Sequence, residues 1–200
     1  HGIFDASFLS EIPNMTVLAP ADEEELRLMT RTACAFDGPC SIRYPKSAVS
    51  LPEGYSVSSF EIGKWLTLRE GTDAVILAVG SMVATALRVA EALAQDGISL
   101  TVVNASTVKP LDMECLRRVF EMERPIFTLE EHVRMAGFGS SVLEAASEMG
   151  FQPRVKLLAV DDYFVPHGDH AHLLRDTGLD DESVIRTIRT ELNREESTNV

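Results

Sequence analysis

Repeated pairs of a short apolar run and a following stretch with helical period constrain this chain more than any other feature. The runs are AVILAVG (74–80), ISLTVVNA (98–105), IFTLEE (126–131) and VKLLAV (155–160). AVILAVG is continuously apolar and ends in glycine, as expected for a strand buried on both faces. The intervening segments are amphipathic. Met82 to Gln95 places Ala86, Val89, Ala90 and Leu93 on one face, and Asp112 is a favourable N-cap for a helix burying Leu116, Val119 and Phe120. Ser140 to Met149 reads as a helix of small residues, and Ser183 to Leu192 as a terminal helix with Val184, Ile188 and Leu192 in register. Strands alternating with helices imply an α/β fold with a mostly parallel sheet, and sites at the carboxyl ends of the strands.

The first fifty residues carry a shorter version of the same pattern. MTVLAP (15–20) is a strand closed by Pro20, and Asp22 with Glu25 forms a capping box for a helix whose buried stripe is Leu26, Met29 and Ala33. Asp37-Gly38-Pro39 is a turn before a second strand, SIRYP (41–45). KSAVSLPEGYSVSS (46–59) has no helical period and is rich in serine, with Pro52 and Gly54, so the domain boundary falls there. Trp65, in the alternating stretch GKWLTLRE (63–70), reads as a packing residue. NREESTNV at the end reads as a frayed tail.

A net charge of -13 opposes broad attachment to nucleic acid or to an anionic membrane, and no apolar run is long enough to span a bilayer. Cys34, Cys40 and Cys115 have no CxxC spacing and lie in or beside apolar segments, so they are expected to be buried, reduced thiols of a cytoplasmic compartment.

Three constellations could carry chemistry. Arg43 and Lys46 flank Tyr44-Pro45 at a strand end, where a guanidinium fork and an ammonium could hold a phosphate; exposed surface cations are the plainer reading. FVPHGDHAH (164–172) gathers metal-ligating side chains, yet Gly168-Asp169 is also a capping arrangement, and His170 and His172, two apart, do not share a face. Gly137-Phe138-Gly139-Ser140 joins a strand to a helix, and is more simply a tight turn with close packing than a phosphate cradle.

Taken in order, HGIFDASFLSEIPN, APADEEELR, DGPCSIRYPKS, TVKPLD, LEEHVRMAGFGSSV and FVPHG resemble the last third of the 1-deoxy-D-xylulose-5-phosphate synthase family, thiamine-diphosphate enzymes of the transketolase superfamily. The likeness extends over about residues 1–193. It implies the C-terminal part of a pyrimidine-binding domain over 1–50, a linker over 51–59, a complete transketolase C-terminal-type domain over 60–194 and a tail over 195–200. It also implies a homodimer acting on pyruvate and glyceraldehyde 3-phosphate, with loss of CO2, in isoprenoid precursor synthesis. Thiamine diphosphate and Mg2+ would be held by ligands outside this chain, so the 200 residues alone are expected to bind neither and to be catalytically incomplete. By the same likeness His1 follows the position of the family's catalytic histidine, which would lie just upstream. Lys46 stands where the family's RYPRG motif has its second arginine, a residue that helps bind the acceptor phosphate, and Ser47 stands where it has glycine. Lysine keeps the charge and loses the bidentate fork. Arg43 is the second expected substrate-binding residue. The alternatives are a noncatalytic dimerisation or interaction module of the same fold, a beta-subunit-like part of another thiamine enzyme and, more distantly, a metal-dependent hydrolase using FVPHGDHAH.

Overall fold

A computed structural model of the chain describes the backbone of residues 2–198 and the side chains of residues 2–193. His1 lies outside the described residues.

The second half of the chain is built on a five-stranded sheet. Its strands are β3 (Leu66–Arg69), β4 (Ala74–Ala78), β5 (Leu100–Asn104), β7 (Ile126–Val133) and β8 (Val155–Val160), in the order β3-β5-β4-β7-β8. β4, β5, β7 and β8 are parallel, and β3 is an antiparallel edge strand beside β5. Every residue of β4 is buried, as its unbroken apolar run predicts. Gly80, at φ 58°, then turns the chain into α3 (Met82–Ala94), a left-handed conformation that favours glycine. α3 packs with α7 (Asp181–Thr198) on one face of the sheet, and α4 (Met113–Glu121) packs with α5 (Phe138–Glu148) on the other. α4 begins at the predicted cap: Asp112 Oδ1 accepts from the Cys115 amide at 2.9 Å, and its second oxygen accepts from the Trp65 amide at 2.8 Å. Trp65 is buried as expected, donating its indole N–H to the Thr107 carbonyl and meeting Phe138 edge-on.

The first fifty residues form α1 (Asp5–Ser10), β1 (Thr16–Leu18), α2 (Glu23–Ala35) and β2 (Cys40–Ile42). β1 and β2 are parallel, and the other side of β1 pairs antiparallel with β6 (Thr107–Lys109), a strand from the second half of the chain. Val17 and Ala19 share a core with Trp65, Val103 and Phe138, so the apolar interior runs across the boundary between the two units. The connecting segment is docked rather than loose. Val57 is buried, Leu51 and Tyr55 pack against the core, and the Tyr55 hydroxyl accepts from Arg69.

Three expectations need correction. Cys34 is exposed and Cys40 half-buried; of the three free thiols, Cys115 alone is buried. The inward line of α2 is Glu25 and Met29, with Leu26 and Ala33 half-buried, and Cys34 falls on the outer side of that line. α1 and β6 had no local signal strong enough to predict them. The terminal helix starts two residues before Ser183 and its backbone continues through Thr198, because NREEST contains neither glycine nor proline to stop it; 199–200 lie outside the described residues. Among the described residues no helix is long and apolar enough to cross a membrane.

Candidate functional site

A cavity of about 760 Å3 opens between the two units at the carboxyl ends of β2, β7 and β8. This is where an α/β sheet offers a binding crevice. One wall is Ile3 with the turn Pro45–Ser47. The opposite wall is the segment from Val165 to Gly168 together with α6 (His170–Asp176), and Glu131 and Val160 lie between them. Lys46 is exposed and lines the cavity, its ammonium offering a point charge for an anion.

Arg43 is not a cavity-lining residue. It follows β2 directly, its amide bonded to the Leu18 carbonyl, and its guanidinium turns inward. Nε donates to Asp5 Oδ1 at 2.8 Å, and one terminal nitrogen donates to the carbonyls of Gly2 at 3.0 Å and Glu131 at 2.6 Å. The planar fork therefore ties α1, the first residues and the end of β7 together. Lys46 and Arg43 share a turn but face different surroundings.

Glu131 sits at the carboxyl end of β7 with its side chain engaged on both oxygens. Oε1 accepts from His170 Nε2 at 2.7 Å, and Oε2 from the Ser81 hydroxyl at 3.2 Å. The histidine-rich segment divides among separate partners. Asp169 caps α6 by accepting from the His172 amide, His170 meets Glu131, and His172 lies 3.7 Å from Asp176 one turn on. Among the described residues no three His, Cys, Asp or Glu side chains are grouped to hold a metal ion.

The glycine-rich turn before α5 is closed to an external anion by an internal carboxyl group. Glu130 is buried, and its two oxygens accept from the amides of Phe138 and Gly139, each at 2.8 Å. Burial raises its pKa from 4.5 to about 7 against the pull of those two amides and of Arg43. A Cβ on Gly139 would come within 2.6 Å of Thr128 Oγ1 and 2.7 Å of Leu157 Cδ2, so close packing requires this glycine. Beside it His132 is buried. Its Nδ1 contacts the Val133 carbonyl at 2.9 Å and its Nε2 accepts from the Ser7 amide at 3.3 Å, while burial lowers its pKa.

A second buried carboxylate joins the two units. Glu25 accepts from the Ala21 amide at 2.6 Å and from Asn104 Nδ2 at 2.9 and 3.0 Å. Desolvation raises its pKa to about 7. Asn104 Oδ1 is buried without a hydrogen-bond partner.

Sequence reasoning assigned Lys46 to the acceptor phosphate, and the structure puts it on the cavity wall; it missed Glu131, Ser81, Glu130 and the Glu25–Asn104 contact. The signal for Glu130 was present: a strand ending in two acids, followed by a small-residue helix start whose free amides need an acceptor.

A mostly parallel sheet sandwiched by helix pairs, joined through β6 to a smaller three-stranded unit with a cavity at the junction, defines a two-unit α/β protein. The family description "Transketolase, C-terminal domain" matches residues 63–184, and "Transketolase, pyrimidine binding domain" matches residues 1–52. The chain belongs to the transketolase family. It is 44% identical over 192 residues to a 1-deoxy-D-xylulose-5-phosphate synthase from Pelotomaculum thermopropionicum, covering 94% of this chain and 30% of that protein. It is 40% identical over 199 residues to the synthase from Geobacillus thermodenitrificans, covering 98% of this chain and 32% of that protein. The chain thus spans about 30% of the length of the curated relatives it matches. Among solved structures, a split-gene transketolase described as an inactive beta4 tetramer superposes with a TM-score of 0.85 at 35% identity, covering 96% of this chain and 61% of that one. The transketolase of Campylobacter jejuni shares the fold, with a TM-score of 0.68 at 17% identity over 92% of this chain and 27% of that one.

Proposed function

We propose that this chain supplies the acceptor-phosphate side of a 1-deoxy-D-xylulose-5-phosphate synthase, which joins two carbons of pyruvate to glyceraldehyde 3-phosphate with loss of CO2. The observation that carries this reading is Lys46 on the wall of a cavity lined by both units. An ammonium there can hold the phosphate of the acceptor while the carboxyl ends of β7 and β8 lie behind its carbon chain. The role of the protein here is to orient the acceptor and keep water away.

The reaction calls for thiamine diphosphate and Mg2+. The described residues do not fit their diphosphate and metal end: the glycine-rich turn is filled by Glu130, and the described residues contain no metal-ligating group of three. Those ligands are assigned to protein outside these residues, and the 200-residue chain by itself is expected to turn nothing over. Arg43 is assigned to holding the turn that carries Lys46 rather than to touching substrate.

A chimera tests the reading. Replacing the matching segment of the Pelotomaculum synthase with this chain should preserve product formation. Within the chimera Lys46→Ala should lower kcat/KM for glyceraldehyde 3-phosphate by roughly 10- to 150-fold, the equivalent of one hydrogen bond to a charged group, with KM for pyruvate nearly unchanged. Lys46→Arg should retain or improve acceptor use, since the planar fork matches phosphate. A folded but inactive chimera, or equal loss for both substrates, overturns the proposal. A second reading is favoured by the likeness to the split-gene transketolase: a separate beta-type subunit of a thiamine enzyme. Activity gained on mixing the chain with a partner that supplies the remaining two-thirds would select it.

A further inference from the structure

We propose that Glu131 is the positioning residue of the acceptor cavity, holding the α6 wall in place opposite Lys46; the inference rests on the acceptor-phosphate reading above. Three separate segments converge on this one residue. Arg43, on the turn that carries Lys46, donates to its main-chain carbonyl at 2.6 Å. Ser81, at the start of α3, donates to Oε2 at 3.2 Å, and His170 of α6 reaches Oε1 at 2.7 Å. Glu131 lies near the end of β7, two residues past its last pair with β4 at Leu129 and between the pairs Leu129–Leu158 and Val133–Val160 with β8, so it is attached to the body of the domain from both sides along the strand.

The α6 wall needs such an attachment. α6 is seven residues long and none of them is buried. Leu174 and the preceding Val165 reach the core in part, which fixes the height of the helix but leaves it free to slide or rock on an apolar surface. The His170–Glu131 contact supplies the direction that apolar packing lacks. The same residue takes Arg43 on its carbonyl, so the two walls are referred to one place on β7, and their separation is set there. Glu131 does not touch the phosphate in this arrangement. It acts through His170 and through the backbone next to Lys46.

Hydrogen exchange and phosphate titration on the 200-residue chain test the inference separately from the reading it rests on. Glu131→Ala should speed amide exchange in α6 by about threefold to fivefold, the scale of a half-exposed hydrogen bond to a carboxylate, with α5 unchanged. Inorganic phosphate should bind the wild-type chain and lose affinity in Lys46→Ala. Glu131→Ala and His170→Ala should each weaken it by about threefold to fivefold, and the double variant should be no weaker than the worse single, because both remove the same contact. His170→Gln, whose side-chain amide can still donate to Glu131, should restore most of the affinity. A merely structural defect would show no such rescue. Unchanged α6 exchange in Glu131→Ala, or additive losses in the double variant, overturns the positioning role. Absence of phosphate binding by the wild-type chain would instead overturn the acceptor reading, while the exchange measurement still decides what Glu131 does to α6.

Discussion

Replacing Glu25 by glutamine should stabilise the protein in alkaline solution and leave it unchanged in acid. Glu25 is buried at the junction of the two units, and desolvation raises its pKa from 4.5 to about 7. A carboxyl whose folded pKa is raised binds more protons folded than unfolded between those two values. Its contribution to stability is therefore complete below pH 4.5 and is lost as pH rises through about 7. The span corresponds to about 3 kcal/mol at full ionisation. Glutamine cannot ionise. Its Oε1 can keep the Ala21 amide, and its Nε2 can donate to Asn104 Oδ1 once the Asn104 amide, which in the wild type points Nδ2 at both Glu25 oxygens, turns over. Part of the gain is offset because a neutral acceptor is weaker than a carboxylate, so about 2 kcal/mol is expected at pH 8 and about zero at pH 5. In a domain of this size that is a rise in Tm of roughly 4–8 °C. Urea denaturation of wild type and Glu25→Gln at the two pH values measures the difference. The titrations of Glu130 and His132 are common to both proteins and cancel in it. Equal shifts at pH 5 and pH 8, or destabilisation at pH 8, would refute the reasoning.

Two further substitutions test the frame around the cavity. Arg43→Ala removes a guanidinium bound to Asp5, Gly2 and Glu131, and should cost roughly 2–3 kcal/mol by denaturant titration. In the active chimera it should impair both substrates alike, in contrast to Lys46→Ala. Gly139→Ala should cost about 1–2 kcal/mol net, the overpacking against Thr128 and Leu157 outweighing the better helix propensity of alanine, and calorimetry should show the lower Tm.

What the sequence revealed and what it hid divide by the distance over which each interaction acts. β4 and α3 were legible because their cause is local: an unbroken apolar run, then a face repeating every three to four residues. The Asp112 and Asp169 caps were legible for the same reason, since each accepts from an amide three residues on. β6 was not legible. Three residues of TVK carry no pattern, and what makes them a strand is β1, whose Val17 pairs with Lys109 from the far side of the boundary. The glycine-rich turn was correctly read as close packing, but the carboxylate that fills it came from Glu130, eight residues before Phe138.

Arg43 shows why the candidate site was harder to read than the fold. In sequence it stands three residues from Lys46 and looks like half of a phosphate clamp. In the structure its side chain meets Asp5, Gly2 and Glu131, acceptors between 38 and 88 positions away in the chain for those with the side chain of Asp5 and the carbonyl of Glu131. A fork with several donors in fixed directions suits such a junction, because it can satisfy acceptors on separate segments at once. An ammonium on a flexible stem suits the exposed cavity wall next to it, where on the proposed reading one mobile charge meets the acceptor phosphate. The two cations are thus separated by what their geometry can satisfy, and that separation became visible once α1 and the end of β7 were brought to the same turn.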